Sequence, residues 1–223
     1  MTQDASGLFF HRLPAGWEDD PKELAQRERM FDAMARAVAE RGYAKVTVAD
    51  VVAGARVSRT TFYEHFSDKE DCFLQAYAAG ARASIEWCAR PVAESGLEDW
   101  HDRIRLGMGK FLEVLAANPE LARALLVDVL GAGPKAVDLR RRTFSAFVDL
   151  YRPNPDGNRP ADVALRAVPD IWLRGLVGGI SELVQEHILV HGAASLMELH
   201  ETLVELAFGI VEVGGHLNGN ERP

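Results

Sequence analysis

The sequence predicts an all-α fold of about nine helices, and three observations predict it. Apolar residues recur three and four positions apart from about Lys22 to about Val213, the period of a helix with one buried face. Ser and Thr stand where helix caps belong, most clearly at Thr47, Ser58 and Ser67. No segment alternates as a strand does; Val46 to Val52 comes nearest, but it alternates poorly and opens on a helix cap.

Residues 1–21 are polar, contain Pro and Gly, and lack a helical period; they read as a flexible arm whose Leu8-Phe9-Phe10 cluster docks on the body. A helix is expected from about Lys22, with Phe31, Met34 and Val38 on one face, Arg27, Arg36 and Arg41 mostly elsewhere, and Gly42 as its stop. Thr47-Val48-Ala49-Asp50 is a capping box that opens a short helix to about Ala55. Ser58 caps a second short helix to about His65, and Ser67-Asp68-Lys69-Glu70 reads as another box, opening a long helix that ends near Pro91. Further helices are expected at about 97–117, at 119–130 behind Asn118-Pro119, and at 134–151 behind Gly133-Pro134, because proline suits a first helical position. The segment 152–160, RPNPDGNRP, is a loop, and two long apolar helices follow at roughly 161–191 and 195–213.

With 223 residues the chain buries a core without covalent staples. Cys72 and Cys88, sixteen positions apart in one expected helix, stand too far apart along its axis to bridge, which fits a reducing, cytoplasmic setting. The opening MTQDASGLFF has no basic stretch before its short apolar run, so no export signal is expected, and no apolar run reaches membrane-spanning length. The formal net charge of -8 argues against a uniformly basic nucleic-acid binder. That average hides an asymmetry: residues 22–69 carry nine Lys and Arg against seven Asp and Glu, the remainder sixteen against twenty-six. Such a chain turns one mildly basic end towards DNA.

Three caps dividing about forty residues into short helix, turn, short helix and long supporting helix is the spacing of a helix-turn-helix. Val48, Val51, Val52, Val57, Phe62 and Phe66 supply the small core that fixes the angle between the short helices. The other side of the second short helix offers Arg59, Thr60, Thr61, Tyr63 and His65, donors of the kind that meet phosphates and base edges. The stretch TVADVVAGARVSRTTFYEHFSDKEDCF resembles the DNA-binding motif of the TetR family, with its threonine-led helix, Ala-x-Val-Ser turn and Tyr-x-His-Phe-x-x-Lys-Glu close; the likeness covers about residues 28–77. The resemblance implies phosphate contacts from Thr47, Tyr63 and Lys69, and major-groove reading by Arg59, Thr60 and Thr61. The expected DNA-contact set is completed by Ser58, His65 and Arg56; the last stands where the family commonly has glycine and either strains the turn or adds a phosphate contact.

Expected domains are the arm at 1–21, a helix-turn-helix domain at 22–70, and a helical ligand-binding and dimerisation domain at 71–223, with the long helix from Ser67 as lever between the last two. Expected partners are double-stranded operator DNA, a second copy of the chain and a small-molecule effector, with no membrane, cofactor or metal. The dimer face is expected on Leu173, Leu176, Gly179, Ile180, Leu183, Leu199, Leu203, Leu206 and Ile210, which recur at heptad-like spacing on the last two helices. Both seams alternatively face the protomer's own core. Trp87, Trp100, Phe111, Phe144, Phe147 and Trp172 are the expected walls of a pocket for an apolar or amphipathic effector. The expected function is thus a dimeric, ligand-released repressor of a palindromic operator. The alternative is a helical ligand-binding protein without specific DNA binding. An enzyme is not expected: His187 and His191, beside Glu186, are two metal-capable side chains without a third, and no nucleophile elbow or phosphate loop is present.

Overall fold

The computed structural model describes residues 21–152 and 168–219. The arm to residue 20, the loop at 153–160 and the expected helix start near 161 lie outside them. The described chain forms nine α-helices and no strand: α1 (Pro21–Arg41), α2 (Val48–Ala55), α3 (Arg59–His65), α4 (Lys69–Glu94), α5 (Trp100–Ala117), α6 (Pro119–Leu126), α7 (Pro134–Leu150), α8 (Asp170–His191) and α9 (His200–Gly219). Short 3-10 turns stand at Tyr43–Lys45, Asp128–Ala132 and Ala193–Leu199. No described helix is long and apolar enough to cross a membrane.

The helices fall into two compact units. The first takes the described residues up to Ser84 together with Ala117–Arg141, and the second takes Ile85–Ala116 and the described residues from Arg142. In the first, Met30, Phe31, Met34 and Val38 of α1 pack with Val51 and Ala55 of α2, Phe62 of α3, Phe66, and Cys72, Phe73 and Tyr77 of α4. The Phe66 ring lies 5.7 Å from Phe31 and 5.4 Å from Phe62, a tilted aromatic trio at the junction of the short helices. Leu121 and Leu125 of α6 and Val129 complete that core.

The second unit buries Ile104, Met108, Leu112 and Leu115 of α5, Val148 of α7, and the inner faces of α8 and α9. Arg105 Nη1 on α5 reaches Glu201 on α9 at 2.6 Å, and His200 Nε2 donates to the Arg105 carbonyl at 3.1 Å. A Cβ at Gly109 would come 3.4 Å from that imidazole nitrogen, so the missing side chain lets the ring lie close to α5. Both cysteines are buried, with Cys72 at 0% and Cys88 at 4% exposure; burial pushes both thiols up, Cys88 to about 12.

Several boundaries differ from expectation for local reasons. The long helix is capped by Asp68: its Oδ1 accepts the Asp71 N–H at 2.8 Å, while Asp71 reaches back to the Ser67 N–H at 2.9 Å. The second box is therefore shifted one residue from Ser67–Glu70, and Glu70 instead pairs with Lys135 at 2.7 Å. Helix α4 also runs through Pro91 to Glu94, because proline removes only its own donor and later N–H groups still bond backwards. Helix α5 starts at Trp100, where Asp99 Oδ1 accepts the N–H of His101 at 2.7 Å. Helix α6 stops at Leu126 and passes into a 3-10 turn. Residues 168–169 are not helical: α8 begins at Asp170 behind Pro169, whose ring turns the preceding residue away from helical angles. Residues 193–199 form a 3-10 turn, so the last α-helix starts at His200.

Candidate nucleic-acid interface

The head of α2 is built by a reciprocal cap. Asp50 N–H donates to Thr47 Oγ1 at 3.3 Å, while Asp50 Oδ2 accepts the Thr47 N–H at 2.9 Å and its hydroxyl at 2.7 Å. Arg41, the last residue of α1, closes on the other carboxylate oxygen at 2.6 Å. These bonds, those of Thr47 foremost, hold the Asp50 carboxyl below its ordinary value. At the other end of α2, Arg29 Nε donates to the Ala55 carbonyl at 3.2 Å, so α1 ties down both ends of its neighbour.

The turn into α3 passes through Arg56, at φ 55 and ψ 47, the one described non-glycine residue with positive φ. Its N–H bonds to the Ala53 carbonyl and that of Val57 to the Val52 carbonyl, the paired pattern that closes a helix on a left-handed residue. The family's glycine therefore falls where glycine is sterically favoured, and Arg56 carries strain there. Ser58 Oγ accepts the Thr61 N–H at 2.9 Å and caps α3.

Phe62 and Phe66 anchor α3 inward, which turns Arg59, Thr60 and Tyr63 outward; Tyr63 is 51% exposed. Thr47, Arg56 and Ser58 are also exposed, and Thr61, His65 and Lys69 are half-buried. His65 Nε2 lies 3.4 Å from Gln26 Oε1, towards α1, unlike the outward group. Lys69 Nζ donates to the Tyr43 carbonyl at 3.1 Å and stands 4.3 Å from that ring's centroid, so its head is held in place. Sequence reasoning missed Arg29, the Arg41–Asp50 pair, and Glu64, an exposed carboxylate on α3 beside Tyr63. Lone charges on helices carry no periodic signal that would have marked them.

The remaining sequence-marked residues lie in the second unit. Trp87, Trp100, Phe111, Phe144, Phe147 and Trp172 are all half-buried. Phe111 meets Phe147 edge to face at 5.6 Å, whereas Trp100 stacks on His101 at 3.7 Å and meets Phe208, a residue outside the expected set, at 5.3 Å. Phe111 stands eleven positions after Trp100 on α5, roughly 16 Å along the helix, so these ring pairs are distinct clusters. Of the expected dimer face, Leu173, Leu176, Ile180 and Leu203 are buried within the protomer at 6% exposure or less. The physical reason is that α8 and α9 pack on each other, as where Leu206 Cδ2 lies 3.9 Å from a Cβ placed on Gly179. Leu183, Leu199, Leu206 and Ile210 are half-buried, while Ile171, Leu189, Val190 and Val213 are, among the described residues, the large apolar side chains these two helices expose. His187 Nε2 lies 2.9 Å from Ser195 Oγ, tying the end of α8 to the turn that follows.

The family model described as bacterial regulatory proteins, tetR family, matches residues 31–76, the span of α1 to α4 that holds this arrangement. Over 165 residues the chain is 30% identical to the HTH-type transcriptional repressor Rv1474c of Mycobacterium tuberculosis, covering 70% of this chain and 83% of that protein. Among solved structures, the fatty acid degradation regulator FadR of Bacillus halodurans matches with a TM-score of 0.68 at 16% identity, over 82% of this chain and 97% of that one. The regulator FadR of Bacillus subtilis, solved in complex with stearoyl-CoA, matches at 0.61 and 17% identity, over 80% and 95%. At such identities the structural likeness speaks for the fold alone. Taken with the capped, outward-facing α3, the repressor relative and the family match place the chain in the TetR family of bacterial regulatory proteins, as a helix-turn-helix transcriptional regulator.

Proposed function

We propose that this regulator is a cytoplasmic repressor that binds a palindromic operator as a homodimer and lets go when a small apolar or amphipathic molecule binds the helical body. The observation that carries the reading is α3: two buried phenylalanines hold it, and Arg59, Thr60 and Tyr63 stand exposed on its free side. Arg59, Thr60 and Thr61 read base edges, while Tyr63 and Lys69 meet phosphates and set register, as does the head of α2. Two copies place two such helices in successive major grooves, about 34–36 Å apart. The exposed apolar residues of α8 and α9 are the surface a second copy covers.

Residues 22–70 serve as the DNA-binding domain and 71–223 as the effector and dimer domain. The half-buried aromatics of the second unit support an effector with an apolar part, and the stearoyl-CoA bound by the Bacillus subtilis protein of the same fold supports that class. An effector acts by preferring the conformation in which the two reading helices are mis-spaced. Selection of fragments from a genomic DNA library by the purified protein tests the reading. Enrichment of one palindrome, with affinity falling steeply in salt, is expected; absence of any retention at low salt refutes it.

A further inference from the structure

We infer that the phosphate at the head of α2 is held by Arg41, and not by the hydroxyl of Thr47; the inference rests on the operator-binding reading above. Family likeness hands that contact to Thr47, but its side chain is already committed twice. The hydroxyl donates to Asp50 Oδ2 at 2.7 Å and accepts the Asp50 N–H at 3.3 Å, so turning its proton to a phosphate gives up its bond to the carboxylate and sets two bare oxygens against each other. The Thr47 backbone N–H is spent on the same carboxylate at 2.9 Å.

A phosphate approaching this corner also meets the Asp50 carboxylate, a like charge that repels it unless a cation stands between. Arg41 supplies that cation. Its Nη1 lies 2.6 Å from Asp50 Oδ1, and its side chain is still 52% exposed. Among the described residues its Nε and Nη2 meet no acceptor, so the guanidinium holds the carboxylate with one edge and keeps the rest of its fork for an oxyanion. Gly42 ends α1 immediately afterwards at φ 76, which leaves Arg41 at the tip of its helix.

A phosphate contact is sequence-independent, so a fluorescein-labelled duplex of arbitrary sequence serves as the probe, titrated with the full chain across a salt series. Arg41→Gln is expected to flatten the slope of log K against log salt by about 0.9 per protomer. Arg41→Lys is expected to keep the slope. Thr47→Asn retains a capping acceptor without the hydroxyl and, because the slope counts charges only, is read as affinity at one fixed salt concentration, which is expected to be unchanged. Arg90→Gln, an exposed cation of the second unit, is the charge control and is likewise expected to change nothing. An unchanged slope in Arg41→Gln, an equal slope loss in Arg90→Gln, or a loss of affinity at fixed salt in Thr47→Asn as large as that in Arg41→Gln overturns the inference while leaving the operator-binding reading intact. A wild-type chain that shows no salt-dependent binding overturns both. Should Arg41→Gln fail to fold, Arg41→Ala takes its place and is read the same way: a slope flattened there supports Arg41, and an unchanged one goes against it.

Discussion

A methyl group added to Gly54 on α2 would stand 3.0 Å from the Cβ of Ala33 on α1, tighter than ordinary side-chain contact. Alanine improves the intrinsic helix propensity at this position by about 1 kcal/mol, whereas overpacking of a rigid methyl against a rigid methyl costs about 1–3 kcal/mol. Gly54→Ala is therefore expected to lower stability in urea unfolding, and Ala33→Gly in the same chain is expected to relieve the steric part. A more stable Gly54→Ala protein contradicts this packing.

Arg56 gives the opposite expectation. Its left-handed backbone costs about 1–2 kcal/mol for a side chain with a Cβ, less what glycine loses in the more flexible unfolded chain. Arg56→Gly is expected to gain several tenths of a kcal/mol, read as a rise in thermal midpoint, because the two bonds that close α2 come from backbone groups and survive. If Arg56 also meets a phosphate, the same variant binds arbitrary duplex more weakly and with a shallower salt dependence.

The proposed division of labour on α3 predicts two kinds of DNA defect. Arg59→Ala is expected to relax the choice of base at one position per half-site, by about 1–3 kcal/mol of discrimination, as read by competition between operator variants. Tyr63→Phe is expected to weaken binding to all sequences alike. An equal loss of sequence preference from both contradicts these roles.

Acid should loosen the caps. Asp50 is held below its ordinary value chiefly by Thr47; at Asp71 burial raises the carboxyl, but bonds from Gln75 and Ser67 outweigh it and bring it below. A depressed folded value means that the stabilisation is complete above the unfolded carboxylate range, near pH ~4, and fades as pH falls through the folded value. Urea midpoints measured from neutral pH down to pH ~3 are expected to fall less steeply in Asp50→Asn than in the wild type. Equal pH dependence in the two proteins contradicts the contribution.

Burial separates the core of the second unit from its free surface. Leu203→Ala is expected to cost about 2–5 kcal/mol of stability, since the side chain is fully enclosed in one protomer. Ile171→Glu and Val213→Glu, at 70% and 50% exposure, are expected to leave thermal unfolding of the isolated chain nearly unchanged and to shift sedimentation towards monomer. A dimer untouched by both places the interface elsewhere.

What could be read before the coordinates follows from how local each signal is. Thr47 and Ser58 cap their helices as expected because a cap is decided within four residues of chain, and the apolar period located the helices because it reports one buried face. The shift from Ser67 to Asp68 turns on two adjacent residues that can each cap the helix, and only the geometry chooses between them. Periodicity likewise marks Leu173 and Leu203 as covered without saying by what, so the protomer's own helix pair and a second copy look alike. Arg41 and Asp50 are nine positions apart, and their pairing follows from how α1 packs on α2, which no window of sequence contains.

The two enclosed thiols have a practical consequence. With neither sulfur accessible and both held as the unreactive protonated form, the native protein should be silent towards maleimides and iodoacetamide. A single cysteine introduced on exposed α3 then becomes the sole labelling position, and in the proposed dimer one spin label per subunit would report the spacing of the two α3 helices directly, with effector and without.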